Sequence, residues 1–257
     1  MTHPFAAVPD LFRQDGAALP APFDARFGPL RRGKADDLVV VAQMGQSIDG
    51  RVATESGHSK YINGAAGLDH LHQLRALVDA VVIGVGTAVA DNPQLTVRRV
   101  SGPHPARVVI DPRGRLPPDA RLLADDGVRR IVIVGNDARP QFPGSVELVR
   151  IGLNQGRAAP AAILAALFDA GLRRLLVEGG THTVSSFLTA GCLDRLHIVT
   201  APMLLGAGQP SVTLAPVERA DEGLRPPVRA HLLDDEVLFD VDLSAQRLPV
   251  GRAKTSM

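Results

Sequence analysis

Leu175-Leu176-Val177-Glu178-Gly179-Gly180-Thr181-His182-Thr183 is the stretch whose reading decides the fold. Three consecutive apolar residues read as a strand buried on both faces. Two glycines break it, and Thr181 opens a helical stretch that carries Val184, Phe187 and Leu188 and closes at Gly191. Strand, glycine turn and helix form the repeating unit of an α/β sheet. The glycines admit another molecule close to the backbone, and the free N–H groups of the helix's first turn point outward as anion donors. The hydroxyls of Thr181 and Thr183 stand beside them. A pyrophosphate suits this cradle, and a plain tight turn is the alternative that the stretch alone leaves open. It is not GxGxxG, so the common dinucleotide fingerprint is absent. Glu178 falls at the strand's C-terminal edge, where open α/β sheets bind ligands.

The same unit recurs outward from this point. Leu38–Ala42, Ala80–Gly84, Arg107–Asp111, Arg130–Val134 and Val146–Val149 are short apolar runs read as strands, and Leu193–Ala201 is another. Gly64–Val78 has helical spacing, and Pro160 and Gly171 bracket a second helix. Val228–Leu233 and Val237–Leu243 are close enough to pair as a hairpin. The expectation is a three-layer α/β fold: a mixed, mostly parallel central sheet, helices on both faces and a C-terminal antiparallel hairpin. Residues 1–36, rich in Pro, Ala and Gly without a period, read as an N-terminal extension that packs on the surface or partly wanders. Residues 37–244 form one domain, and 245–257 a flexible tail.

Composition narrows the partners. A net charge of +1 in 257 residues gives no basic face for nucleic acid or an anionic membrane. Arg129-Arg130 and Arg173-Arg174 precede strands and read as solvated ends. Cys192 is the sole cysteine, and no HExxH occurs, so no metal site is expected. No run of eighteen apolar residues and no N-terminal signal pattern is present, which reads as a cytoplasmic protein.

Two further clusters follow strand ends. In Ser47-Ile48-Asp49-Gly50-Arg51, Asp49 is either a turn-former or a carboxylate aimed at a polar substrate. In Gly86-Thr87 through Asp91-Asn92-Pro93-Gln94-Leu95-Thr96-Val97-Arg98, the arginine can fork onto a phosphate. Arg75 borders the apolar face of its helix, where snorkelling to water is the plain reading.

With Ser59-Lys60-Tyr61-Ile62, Leu74-Arg75, Val108-Val109-Ile110-Asp111, Gly191-Cys192-Leu193-Asp194-Arg195-Leu196 and Pro202-Met203-Leu204-Leu205-Gly206, this ordered set resembles the pyrimidine reductases of riboflavin biosynthesis. That family is the C-terminal half of the bacterial bifunctional deaminase–reductase, and the likeness covers residues 38–243. The resemblance implies a dihydrofolate-reductase-like fold, a homodimer, and NADPH-dependent reduction of a phosphoribosylamino-pyrimidine from ribosyl to ribityl, an oxidoreductase acting on a CH–OH or C=N group. It places Ser59, Arg75, Leu95, Arg98 and Glu178 at the substrate. It places Gly45, Tyr61, Thr87, Asp91, Gly179, Gly180, Thr181, His182 and Thr183 at NADPH. The two arginines are expected on the substrate phosphate, and Asp49 and Glu178 are the candidate catalytic proton carriers. Arg113 and Arg115 are candidates for the cofactor's 2′-phosphate. The HxE and PCxxC elements of the deaminase half are missing, so no deaminase activity is expected. Alternatives are a paralogue reducing a diaminopyrimidinone ribosyl phosphate, a pteridine or dihydrofolate, or an NADPH-binding protein without turnover.

Overall fold

The computed structural model describes residues 4–250. Its strands are β1 (Val39–Ser47), β2 (Arg51–Thr54), β3 (Ala80–Gly84), β4 (Ala106–Ile110), β5 (Arg130–Gly135), β6 (Glu147–Ile151), β7 (Arg174–Glu178), β8 (Arg195–Ala201), β9 (Gly208–Pro210), β10 (Val228–Leu233) and β11 (Glu236–Asp242). The α-helices are α1 (Val8–Arg13), α2 (Phe23–Phe27), α3 (Ala65–Leu77), α4 (Val85–Asp91), α5 (Pro160–Asp169) and α6 (Thr181–Thr189). Nine strands form one sheet in the order β10-β11-β8-β1-β7-β3-β4-β5-β6, and β2 pairs with β9 apart from it. From β8 to β6 every neighbouring pair is parallel. The hairpin β10–β11 adds antiparallel to β8. The mixed sheet and closing hairpin match the sequence expectation.

Both sheet faces are covered, which is why the strands read as continuous apolar runs. Val39, Val41, Val81, Ile83 and Leu176 face a cluster that includes Leu74 and Leu77 of α3. Val40, Ala42, Val82, Leu175 and Val177 face the other way, with Ile163 and Leu167 of α5 and Val184 and Phe187 of α6. The chain runs outward from β1 to β6, then returns to lay β7 between β1 and β3. Such a reversal opens a crevice at the carboxyl ends of the strands.

The N-terminal segment differs from the expectation of a surface extension. Phe5, Val8, Phe12, Phe23, Phe27 and Leu30 are buried in the same cluster as α3. Phe5 meets Phe23 and Phe27 edge-on at 5.5 and 6.1 Å, and Phe27 stacks on His70 at 5.5 Å. Aromatics scattered among prolines and alanines show no period, yet each buries a large apolar area. Phe27→Ala is therefore expected to cost about 3–5 kcal/mol, read from denaturant unfolding; a change below about 1 kcal/mol would place this segment outside the core.

The tail is tied down as far as it is described. Leu248 N donates to Gly191 O at 2.9 Å, Val250 N donates to Asp36 at 2.8 Å, and Arg247 is buried. The remainder of the expected flexible tail lies outside the described residues. Nor is Arg130 a solvated end: it is buried and pairs with Asp125 at 2.9 Å. Arg174 pairs with Asp79 at 3.2 Å.

Candidate active site

The crevice at the ends of β1, β7 and β3 gathers most of the residues singled out from the sequence. Glu178 ends β7, opposite Gln43 of β1. Arg75 reaches it from the last turn of α3: Nε donates to Oε1 at 2.7 Å and Nη2 to Oε2 at 2.6 Å, with both side chains 8% exposed. The third donor, Nη1, goes to Thr96 O at 3.1 Å. Burial alone would pull the Arg75 guanidinium down, but the Glu178 charge and its two hydrogen bonds outweigh burial and raise it. Arg75 therefore does not snorkel to water, nor is it free to clamp a substrate phosphate, because its fork is filled by Glu178.

The loop after α4 is laid across the C-terminal half of α3. His72 Nδ1 accepts from Arg98 N at 2.9 Å, and His104 Nδ1 accepts from Val97 N at 3.1 Å. Burial, reinforced by Arg75, Arg98 and Arg99, lowers His72 to about 4, so at neutral pH its ring is a neutral acceptor. Leu95 is buried with φ +55°, where the chain turns inward. The Arg98 side chain is exposed and donates only to neighbours in its own loop, Thr96 Oγ1 at 2.8 Å and Gln94 Oε1 at 3.3 Å. It opens onto a small cavity of about 140 Å³ shared with His104, Arg107, Arg121 and Asp126, the last of which pairs with Arg107 and leaves Arg98 and Arg121 as the uncommitted cations. Cations and a histidine around one small space suit a phosphate.

The glycine turn interlocks with α4. Gly180 N donates to Thr87 Oγ1 at 3.1 Å. Gly179 has φ +109°, and a Cβ there would lie 2.9 Å from the same hydroxyl, so no other residue fits without displacement. Gly84 makes room for Thr183, whose Oγ1 would lie 2.6 Å from an added Cβ. Thr183 N turns back to Gly180 O, leaving the N–H groups of Thr181 and His182 without an intrahelical acceptor. The donor set and the open side of Gly86, where an added Cβ meets nothing within 4 Å, suit a pyrophosphate lying across the two helix starts. Asp91, the last residue of α4, has its carboxyl raised by burial.

Several expected roles change. The Thr181 hydroxyl donates to Pro210 O, so it is engaged by the segment after β8 instead of standing free. Asp49 accepts from Ser47 Oγ at 2.6 Å, Leu205 N at 3.0 Å and Gly206 N at 2.7 Å. The Ser47 hydroxyl first, then the two backbone donors, push it down to about 2. A carboxylate so held ties residues 203–206 to the β1–β2 turn. Gly45 is small because Asn63 packs on it, with Oδ1 only 1.6 Å from where a Cβ would stand. Ser59 and Tyr61 lie in the exposed β2–α3 loop, Tyr61 with φ +73° and the Lys60 ammonium 4.9 Å from its ring centre.

Two supporting residues escaped the sequence reading. Glu236, buried at the start of β11, accepts from Gly64 N at 3.0 Å, Gly67 N at 2.6 Å and Asn63 at 2.8 Å. It caps α3, the helix that carries Arg75 and His72. The other is His72, whose bond to Arg98, 26 residues later, no local sequence signal announces. Among the described residues no group of His, Cys, Asp and Glu is arranged to hold a metal ion. Among them also, no helix is long and apolar enough to cross a membrane.

Comparison with known proteins shows the family. The RibD C-terminal domain model matches residues 39–229. The 2,5-diamino-6-ribosylamino-4(3H)-pyrimidinone 5′-phosphate reductase of Methanothermobacter thermautotrophicus is 35% identical over 190 residues, covering 71% of this chain and 86% of that protein. The riboflavin biosynthesis protein RibD of Bacillus amyloliquefaciens is 33% identical over 190 residues, covering 72% of this chain but 50% of its own length. The deaminase/5-amino-6-(5-phosphoribosylamino)uracil reductase structure from Thermotoga maritima superposes with TM-score 0.69 at 26% identity, covering 86% of this chain and 59% of that one. The chain belongs to the RibD C-terminal domain family of riboflavin-biosynthesis reductases.

Proposed function

We propose that the chain reduces a phosphoribosylamino-pyrimidine with NADPH, converting its ribosyl group to a ribityl chain by hydride delivery to C1′. The observation that supports this most is the meeting of three features in one crevice: the Arg75–Glu178 pair, the glycine cradle at α6 and the phosphate-sized cavity beside Arg98. NADPH, when bound, supplies the hydride. Gly179 and Gly180 would admit its pyrophosphate, the N–H groups of Thr181 and His182 and the Thr183 hydroxyl would hold it, and the exposed Arg113 and Arg115 after β4 suit the 2′-phosphate. Arg98, with His104 and Arg121 beside it, would bind the substrate phosphate. The Glu178 lone pairs not used by Arg75 would accept from the sugar or ring. Opening the ribosylamine needs proton transfer, for which Glu178 is the better placed of the two carboxylates. Most of the rate then comes from positioning.

A second reading has a specific observation behind it. The Methanothermobacter relative, aligned over most of its own length, is named for the diaminopyrimidinone phosphate. Following NADPH absorbance with the uracil and the diaminopyrimidinone side by side, and with NADH in place of NADPH, separates these readings. Oxidation with neither pyrimidine would contradict both. A homodimer working in the cytoplasm completes the proposal. The outer strand β10 leaves a sheet edge with Leu232 81% and Val228 50% exposed, which a second copy would cover.

Asp49 supplies a pH test. Its depressed pKa means that folding favours the ionised form, so this contribution to stability is full above pH 3.8 and is lost as the pH falls toward about 2. Asp49→Asn is expected to flatten that acid limb of the stability curve and to keep most of the turnover at neutral pH. An unchanged acid limb with turnover abolished would make Asp49 a proton carrier after all.

A further inference from the structure

At the pole opposite the active site, the amino ends of the strands and the N-terminal segment enclose a cavity of about 740 Å³. Small-molecule sites commonly span about 300–1,000 Å³. Arg174, at the start of β7, lines this cavity, whereas Glu178 ends the same strand in the active site. Four strand steps separate them, roughly 13 Å.

The lining is cationic out of proportion to the chain. Arg13, Arg31, Arg32 and Lys34 come from the segment before β1, and Arg174, Arg195 and Arg229 from strands of the sheet. Three carboxylates, Asp15, Asp194 and Asp242, stand against these seven cations, in a protein whose net charge is +1. Some of the cations are committed: Arg195 to Asp240 at 2.5 Å and Asp242 at 3.0 Å, Arg32 to Asp15 at 2.8 Å, Arg174 to Asp79 at 3.2 Å and Lys34 to Asp242 at 3.4 Å. Others are positioned without being neutralised. Arg13 donates to Pro9 O and Ala76 O, and Arg31 to Ala17 O and Leu11 O, so carbonyls fix their forks but cancel no charge. The Nε of Arg31 is buried with no hydrogen-bond partner. The Arg229 side chain is exposed, with neither hydrogen bond nor ion pair among the described residues. Burial and then the nearby Arg174 charge lower the Arg13 guanidinium, as expected where cations crowd together.

Fixed, uncancelled guanidinium groups around a concave space favour a multiply charged anion over a single carboxylate. We propose that this cavity is a second binding site, separate from the reductase crevice, for a small polyphosphorylated molecule. Most of its wall comes from residues before the matched family region, which begins at residue 39. The site is thus an addition to the reductase fold and does not depend on which pyrimidine is reduced.

The test is calorimetric titration of the full chain with inorganic tripolyphosphate in the presence of saturating NADPH, which fills the glycine cradle, while the variants below distinguish this cavity from the one beside Arg98. Binding is expected to persist under saturating NADPH and to weaken with added salt. Arg32→Gln/Arg229→Gln, two exposed positions outside the active site, is expected to weaken it at least about tenfold, the effect of losing charge-assisted contacts. The rate of NADPH oxidation without tripolyphosphate should not change in this variant. Lys34→Gln/Arg229→Gln gives the same readout if the first variant loses stability. Absence of binding, displacement by NADPH, or unchanged affinity in both double variants would overturn the proposal.

Discussion

Glu178→Gln is expected to lower the thermal midpoint by roughly 10 °C and to remove measurable turnover. The substitution leaves the Arg75 guanidinium buried opposite a neutral amide, and an uncompensated buried charge costs about 3–5 kcal/mol. In a domain of this size each kcal/mol moves the midpoint by about 2–4 °C. Arg75→Leu is expected to fall by a similar amount, since it strands the carboxylate instead. The double variant Arg75→Leu/Glu178→Leu separates the two roles of the pair. Apolar side chains can replace a buried ion pair with little loss of stability, so its midpoint should recover most of the way. Turnover should stay absent, because no carboxylate remains beside the cradle. Recovery of both stability and turnover would show that the pair only supports the fold.

Arg98→Ala is expected to behave differently. Its side chain is exposed and bonds only within its own loop, so stability should change by less than about 0.5 kcal/mol. Hydrogen bonds to charged groups contribute about 1.5–3 kcal/mol, so kcat/KM for the phosphorylated pyrimidine should fall about 10- to 100-fold. The KM for NADPH should hold. The dephosphorylated pyrimidine, already slow, should be no slower with the variant than with the wild type. An equal loss on both pyrimidines would move Arg98 from phosphate recognition to support of the loop.

Much of this arrangement is legible in the sequence because the sheet is doubly covered. Continuous apolar runs such as Val81-Val82-Ile83 and Leu175-Leu176-Val177 mark strands, and the glycines after them mark turns at the carboxyl edge. Pattern does not give strand order. The insertion of β7 between β1 and β3 brings Glu178 to Arg75, 103 residues earlier in the chain, and no local signal encodes that meeting. The same limit explains the change in Arg75: a lone arginine on an apolar helix face reads as snorkelling until its partner is placed. In Ser47-Ile48-Asp49-Gly50, Asp49 suits both a turn and a substrate contact, and only its distant donors at Leu205 and Gly206 favour the first. The N-terminal phenylalanines have no periodicity, so their burial follows from tertiary packing alone.

The most direct test of the active-site assignment is hydrogen exchange of the full chain with and without NADPH. Protection is expected at residues 84–91 and 179–186, the two interlocked helix starts, with α5 and β6 unaffected. Protection confined to other segments, with 179–186 exchanging as in the free protein, would contradict the placement of the cofactor at the glycine turn.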